Sequence, residues 1–241
     1  MGVELDTRHL KAKQKNVPAL TNGRRNEWRV NDMIKIENTE VFGWEAAIRG
    51  MRNPMNSWDK SDSMFHIELK DLYEIGEKDL KLMQNLSKAG SDHGKFLRMI
   101  NVTVDITAPL YWWKEFDTYK VGTVANSCIA MHKVHAKEFT MDDFSHEHLM
   151  TGSMFQLHRT VDLLNEAREE FLKTNNKAYW WQMIQLFPSS YNQKRTVQLN
   201  YQVLKTMYFA RRNHKLTEWH TLCDWMETLP YFKEICLEVA E

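Results

Sequence analysis

The chain has 241 residues, in which 32 basic side chains balance 32 acidic ones, and only three cysteines. This length can bury one core without disulfides or a structural metal, and an odd number of cysteines without framework spacing indicates a reducing compartment. The balanced charge lacks the field that attracts nucleic acid, and no run of about 18 apolar residues predicts a membrane span. We therefore expect a cytoplasmic protein that binds neither membranes nor nucleic acid.

The first 30 residues differ from the rest because basic side chains outnumber acidic ones there, with Arg24, Arg25 and Arg29 close together. This composition is typical of a solvated, flexible arm, with a binding segment as the alternative. We expect a single domain over residues 31–241.

Alternating residues predict a strand over 32–41, and a helix follows over 42–50. Asn, Ser and Pro predict a loop over 53–63. Residues 76–90 have the pattern of a helix that places Leu82, Leu86 and Ala89 on its inner face and stops at Gly90. The β-branched alternation of residues 100–107 predicts a strand that ends at Pro109.

In the second half, Thr140 and Asp143 have the spacing of a helix cap. A long helix follows, with Leu157, Val161, Leu164 and Phe171 at helical spacing. Two more helices are predicted over 197–212 and 215–229, the second burying Leu216, Trp219, Cys223 and Met226. Strands and helices without regular alternation indicate an α+β fold.

Five residues in the last third of the chain have a distinctive spacing: Pro188, Asn200, Arg211, His214 and Glu218. This spacing resembles the C-terminal signature of the flavin-dependent thymidylate synthases, in which a Leu-Pro turn leads into a helix carrying an Asn and an Arg, followed by His-x-x-x-Glu. His214 follows Arg211 by three residues where the family has four, and its spacing to Glu218 is kept.

A second stretch, counted from Pro109 without a gap, resembles another motif of this family. In that motif a Pro precedes Arg-Gln and then Arg-His-Arg-x-x-Ser-x-Asn-Glu-x-Ser-x-Arg-Tyr. Lys114 and Glu115 fall on the Arg-Gln pair. The later motif positions hold Thr118, Tyr119, Lys120, Thr123, Ala125, Asn126, Cys128, Ala130 and Met131. The spacing of this motif is kept, but most of its charged residues are replaced. The chain therefore resembles a divergent member of this family.

The resemblance covers about residues 34–230, and it implies a fold, an assembly and an activity. The implied fold is a twisted, largely antiparallel sheet flanked by helices, assembled as a homotetramer with sites between subunits. The implied activity is an FAD-dependent transfer of a one-carbon unit from methylenetetrahydrofolate to C5 of a pyrimidine nucleotide, with NADPH as the reductant.

The resemblance also implies roles for individual residues. Arg211 is the candidate catalytic residue, because a fixed guanidinium beside the ring stabilises the charge that builds on the uracil carbonyls. The alternative is an ordinary surface arginine, and we expect Glu218 to be a helix-surface carboxylate. The implied cofactor-binding residues are Asn200, His214, Lys120, Thr123 and Asn126.

Two arginines that hold the nucleotide phosphate in the family are replaced here by Ala130 and Ile184. The loss of two charge-assisted contacts to the phosphate would weaken nucleotide binding by roughly 3–6 kcal/mol. We therefore expect a substrate other than dUMP. We expect weaker FAD binding for a separate reason, because Thr118 and Tyr119 cannot neutralise phosphates as the family's Arg-His pair does. The candidate substrate-binding cations that could compensate are Arg49, Arg52, Lys194 and Arg195. Cys128 is a further candidate, because it takes the place of a family serine that contacts the nucleotide.

Other interpretations are open at this point. Cys128 is also consistent with a buried structural thiol. His132 with His135, and His146 with His148, have ligand-like spacing, yet no zinc signature is completed and we predict no metal. The lost Arg-His-Arg charges favour an alternative function, a non-catalytic nucleotide-binding or interaction protein descended from the same fold.

Overall fold

The computed structural model describes residues 34–65, 73–128 and 133–238. The predicted arm over residues 1–30 lies outside the described residues, and so do Ala130, Met131 and His132. All described residues belong to one unit that extends over residues 32–241.

A four-stranded antiparallel sheet forms the centre of this unit, with strand order β1-β4-β6-β5. Its long central strands pair over their whole length, from Asn101 opposite Asn200 to Pro109 opposite Asn192. A separate two-stranded ribbon is formed by β2 and β3. The strands are β1 Lys35–Phe42, β2 Met64–Phe65, β3 Tyr73–Glu74, β4 Asn101–Pro109, β5 Val124–Ser127 and β6 Asn192–Asn200.

The two faces of the sheet differ because β4 alternates strictly between apolar and polar residues. Val102, Val104 and Ile106 are fully buried on one face. Thr103 and Asp105 point to the other face, which is polar and partly exposed. Helices therefore pack against the apolar face of the sheet.

Two cores result from the way the helices pack. The larger core joins the apolar face of the sheet to α1, α3, α6 and α7, and the smaller one lies around α4 and α5. The helices are α1 Trp44–Arg52, α2 Glu77–Lys88, α3 Leu110–Phe116, α4 Thr151–Thr174, α5 Lys177–Leu186, α6 Tyr201–Arg211 and α7 Glu218–Met226. None of the helices in the described ranges is long and apolar enough to cross a membrane.

The predicted helix over residues 197–212 is wrong in its first turn. Residues 192–200 form β6, because Val197 and Leu199 extend the buried face of the sheet while Lys194, Thr196 and Gln198 face outward. Helix α6 begins only at Tyr201. The strand was missed because charged residues dilute its apolar alternation, whereas pairing with β4 on one side and β5 on the other stabilises it.

Two further predictions need correction. Helix α1 begins at Trp44 because Phe42 ends β1 and Gly43 adopts φ 97°, where a Cβ would overlap the carbonyl of Met99. Helix α2 buries Asp79, Met83 and Ser87, whereas Leu82 and Leu86 are partly buried and Ala89 is exposed. Helices α3 and α5 and strand β5 were not predicted from the sequence.

Several local predictions are confirmed. Strand β4 ends at Pro109, and α2 stops immediately before Gly90, which has φ 103°. The amide of Thr140 donates to Asp143 Oδ2 at 2.9 Å and completes the capping box of a 3₁₀ turn. The predicted stripes of α4 and α7 face the cores: Leu157, Val161, Leu164, Trp219, Cys223 and Met226 are buried, and Leu216 and Phe171 are partly buried against them.

Candidate functional site

Arg211 is the last residue of α6, and aromatic and acidic side chains hold its guanidinium. The group lies 4.6 Å from the ring centre of Trp219 and 5.5 Å from that of Tyr119. Its Nε donates to the Tyr119 hydroxyl at 2.9 Å, and its Nη1 donates to Glu115 Oε2 at 2.8 Å. Stacking and a planar fork of donors are properties of arginine that lysine lacks.

Glu115, in α3, connects this arginine to His214. Its Oε2 also accepts the Trp219 indole N–H at 3.1 Å and lies 3.3 Å from His214 Nε2. His214 Nδ1 accepts the backbone N–H of Leu216 at 3.1 Å, which leaves Nε2 to donate to Glu115. We call Arg211, Glu115, Tyr119, His214 and Trp219 the Arg211 cluster.

Asn200 links the sheet to this cluster. It ends β6 and caps α6, since its Oδ1 accepts the backbone N–H of Val203 at 3.1 Å. The opposite side of its amide faces Gly122, where a Cβ would lie 3.0 Å from Asn200 Nδ2. Gly122 has φ 77°, so both its conformation and the tight contact favour glycine in the loop between Tyr119 and β5. Much of the Asn200 amide is thereby used for structure.

The loop and β5 carry the other candidate cofactor residues. Lys120 and Asn126 are exposed, whereas the hydroxyl of Thr123 is buried and has no hydrogen-bond partner among the described residues. Asn126 lies opposite Thr196 on the polar face of the sheet. These three residues are therefore arranged along one short segment that runs from the Arg211 cluster to the polar face.

Two candidate substrate residues lie on the same polar face. Cys128 is exposed and continues the β5 register, its N–H donating to the Lys194 carbonyl at 2.8 Å, so the buried alternative for this thiol is wrong. Lys194 Nζ lies 2.9 Å from Asp105 and 3.7 Å from Glu37. Hydrogen bonds from Thr196, Asn38 and Lys194 lower the pKa of Asp105 to about 2, so the lysine faces a permanent negative charge at neutral pH.

Arg195 is separated from Lys194 because successive strand residues point to opposite faces. Its guanidinium lies 4.2 Å from the Trp113 ring centre on the helical side, donates to Asp117 at 2.7 Å and contacts Gln193 at 2.9 Å. These two neighbouring candidate cations lie in β6 and point to opposite faces of the sheet, so they cannot meet one phosphate on the same face.

The two candidate arginines of α1 have other surroundings. Arg49 is exposed and lies 3.8 Å from Glu45. Arg52 is only 4% exposed and donates to Asp79 and to the carbonyls of Ser57 and Lys60. Its side chain fixes the loop over residues 53–63, so the prediction that Arg52 meets substrate conflicts with its burial.

Asp79 completes that loop network. Burial would raise the pKa of Asp79, yet hydrogen bonds from Ser61, Ser63 and Arg52 outweigh it and lower the pKa. The amides of Asp62 and Ser63 also donate to Asp79 Oδ2 at 3.1 Å. The network accounts for the polar composition of the loop without a bound anion.

The sequence did not predict the partners of Arg211. Glu115 was visible at a motif position where the family has Gln, but its contact with Arg211 joins residues 96 positions apart. The expectation that Glu218 is a surface carboxylate is wrong: it is 2% exposed and accepts a short hydrogen bond from the Tyr111 hydroxyl. Burial, and then this hydrogen bond, raise the pKa of Tyr111 and keep the phenol protonated.

Within residues 34–65, 73–128 and 133–238, no three His, Cys, Asp or Glu side chains are grouped as metal ligands. In the second histidine pair, His146 Nδ1 lies 2.7 Å from the Phe144 carbonyl.

Neither protein-family models nor curated proteins match the sequence. Solved structures do match the fold. Thymidylate synthase X (ThyX) from Helicobacter pylori, solved with FAD and dUMP, aligns with a TM-score of 0.62 at 14% identity, over 86% of this chain and 99% of that one. A UMP/dUMP methylase, PolB from Streptomyces cacaoi, bound with 5-Br UMP, aligns with a TM-score of 0.54 at 14% identity, over 86% of this chain and 92% of that one. The chain therefore has the ThyX fold, with an antiparallel sheet flanked by helices, as the motifs predicted.

Proposed function

We propose that the protein is a flavin-dependent enzyme that transfers a one-carbon unit to C5 of a pyrimidine nucleotide. The observation that carries this proposal is the position of Arg211, at the end of α6 in a ThyX fold, with its guanidinium held between Trp219 and Tyr119. The structural neighbours were solved with FAD and dUMP or with 5-Br UMP, which supports the same ligand classes here. Methylenetetrahydrofolate and NADPH are the proposed co-substrates.

Arg211 would act on the pyrimidine ring. C5 of a pyrimidine becomes nucleophilic when negative charge builds on the ring carbonyls, and a guanidinium that is already positioned stabilises that charge without reorganising. The hydroxyl of Tyr119 and the acceptor Glu115 fix the orientation of the arginine. A displaced guanidinium would lose most of this effect because the geometry of the donors is what lowers the barrier.

The cofactor would be held by the segment between Tyr119 and Cys128, and the flavin, once reduced by NADPH, would supply a hydride equivalent. The buried hydroxyl of Thr123 lacks a partner among the described residues, as expected of a group that awaits a ligand. Lys120 would face the pyrophosphate and Asn126 would bind a polar edge, with Asn200 and His214 near the ring. One exposed lysine neutralises little of a pyrophosphate's charge, so we propose weaker FAD binding than the complete Arg-His-Arg motif would give.

Cys128 and Lys194, on the polar face of the sheet, would contact the nucleotide in a site shared between subunits. Lys194 would have to exchange its contact with Asp105 for a phosphate, and Arg49 is a second exposed cation. This cost favours a substrate whose affinity does not depend on its phosphate alone, and we propose that it is not dUMP itself.

A homotetramer with sites between subunits is part of this proposal. Exposed apolar side chains on α4 and α5, among them Phe155 at 71%, Leu172 and Trp181, support a subunit contact there. Light scattering at micromolar concentration tests it, and a monomer would contradict a site shared between subunits.

A second candidate function is a non-catalytic nucleotide-binding or interaction protein of the same fold. It is favoured by one observation, namely that Arg52, Lys194, Arg195 and Arg211 each pair with a carboxylate. Cations neutralised in this way bind phosphate less readily than free ones.

Tritium release separates the two functions. The purified protein is supplied with FAD, NADPH and methylenetetrahydrofolate, and release from C5-labelled dUMP, UMP, dCMP and CMP is measured. We expect release from at least one nucleotide and a flavin spectrum after reconstitution. If tritium were released from none of these nucleotides, the non-catalytic binding function would be favoured. Calorimetric titration with FAD tests the cofactor, and a low-nanomolar affinity would contradict the argument from lost charges.

A further inference from the structure

The carboxylate of Glu115 occupies the place beside Arg211 where an anionic ligand would bind. Its Oε2 is surrounded by three donors: Arg211 Nη1 at 2.8 Å, the Trp219 indole at 3.1 Å and His214 Nε2 at 3.3 Å. Convergent donors of this kind are typical of an oxyanion or phosphate site. Here the protein supplies the anion itself.

Each member of this pair has one atom without a hydrogen-bond partner among the described residues. Glu115 Oε1 accepts no hydrogen bond from the described residues, and within the same ranges Arg211 Nη2 has no acceptor. The side chains are 35% and 17% exposed, so solvent or a ligand can reach them. The pair thus keeps one acceptor and one donor nitrogen without partners among the described residues.

We propose that Glu115 determines the ligand class of the Arg211 cluster: it excludes phosphate and carboxylate groups from Arg211 and admits the uncharged edge of a heterocyclic ring that carries a donor beside an acceptor. A second anion next to Glu115 would meet like charge at short range, and displacing Glu115 would leave its carboxylate without three donors. An uncharged ring edge incurs neither cost.

This inference deepens the proposed function and rests on it for the identity of the ring as a pyrimidine. The exclusion of anions does not rest on it, because inorganic phosphate can be tested without flavin, folate or turnover. The two ideas can therefore fail separately.

The experiment compares calorimetric affinities for inorganic phosphate and for uridine, which has the ring but no phosphate. The variants are Glu115→Gln, which keeps the shape and a hydrogen-bond acceptor, and the double variant Glu115→Gln with Arg211→Gln. Glu74→Gln is the control, since it removes one exposed carboxylate of β3 and frees no arginine. Thermal unfolding of each variant verifies the fold.

We expect Glu115→Gln to raise the phosphate affinity, and its ratio to the uridine affinity, by about tenfold or more, as a charge-assisted contact would. The double variant should lose this gain, and Glu74→Gln should leave both affinities unchanged. An unchanged ratio in Glu115→Gln would overturn the inference, as would a gain that persists without Arg211. Binding of phosphate but never of uridine would contradict the proposed function and leave the exclusion of anions standing.

The wild-type chain provides an independent test if Glu115→Gln does not fold. Because Glu115 already occupies Arg211, Arg211→Gln alone should change the phosphate affinity by less than about twofold. A loss of tenfold or more in Arg211→Gln would show that phosphate reaches Arg211 despite Glu115, and the inference would be wrong.

Discussion

Two arginine–carboxylate pairs of nearly equal length behave differently in this protein. Arg52 and Asp79 lie 2.7 Å apart and are almost fully buried, and the Asp79 carboxylate accepts further hydrogen bonds from Ser61, Asp62 and Ser63. Arg211 and Glu115 lie 2.8 Å apart, are partly exposed, and keep an acceptor and a donor nitrogen without described partners. The nitrogen–oxygen distances are nearly equal in the two pairs. The completeness of the hydrogen bonding therefore distinguishes a structural pair from one that can bind a ligand.

The largest effect is expected for the buried pair. Asp79→Ala removes the carboxylate and leaves the Arg52 guanidinium buried without a counter-charge, which should cost about 3–5 kcal/mol of unfolding free energy. Urea unfolding measures this loss. If the unfolding free energy changed by less than about 1 kcal/mol, the Arg52–Asp79 pair would be as weak as an exposed ion pair. The proposed difference between the two pairs would then be wrong.

For the Arg211 cluster the main effect should fall on activity. Arg211→Ala should lower tritium release by roughly a hundred to a thousand fold, about 3–4 kcal/mol, because a positioned donor to the developing charge is lost. Arg211→Lys should not restore it, since an ammonium lacks the planar fork. The matched control is Arg212→Ala, which removes the neighbouring arginine from an exposed pair with Asp224. Equal rates in wild type and both Arg211 variants would show that Arg211 has no catalytic role.

An intermediate effect on stability is expected for Asp105. Its folded pKa of about 2 lies below the ordinary 3.8, so its stabilisation is present above pH 3.8 and is lost as the pH falls through 2. Asp105→Asn should therefore cost roughly 2 kcal/mol at pH 7 and about half as much at pH 3.

Urea unfolding at both pH values measures this difference. Asp92→Asn, an exposed carboxylate in a turn, serves as the control for a general charge effect. A cost for Asp105→Asn that does not depend on pH would contradict the assigned pKa.

The smallest effect is expected for the exposed pair of Arg212 and Asp224. Asp224→Ala should change the unfolding free energy by less than about 1 kcal/mol, because exposed ion pairs gain little over solvation by water. A loss as large as that of Asp79→Ala would show that burial and hydrogen bonding do not rank these pairs.

Local patterns in the sequence determined much of the architecture. Strict alternation in β4, helical spacing in α4, the stop before Gly90 and the Thr140–Asp143 box each depend on residues a few positions apart. The motif spacing also placed Arg211 at the end of a helix. Such features can be read from sequence because the periods of helices and strands fix which near neighbours share a face.

Only the tertiary structure decided how the charges pair. Strand β6 exists because β4 and β5 flank it, and its alternation sends Lys194 and Arg195 to opposite faces. Arg211 meets Glu115 across 96 residues, and Arg52 meets Asp79 across 27. A contact between distant residues depends on how whole elements pack, so the sequence could supply the arginines, and the fold alone determined which of them were buried and which kept free hydrogen-bonding groups.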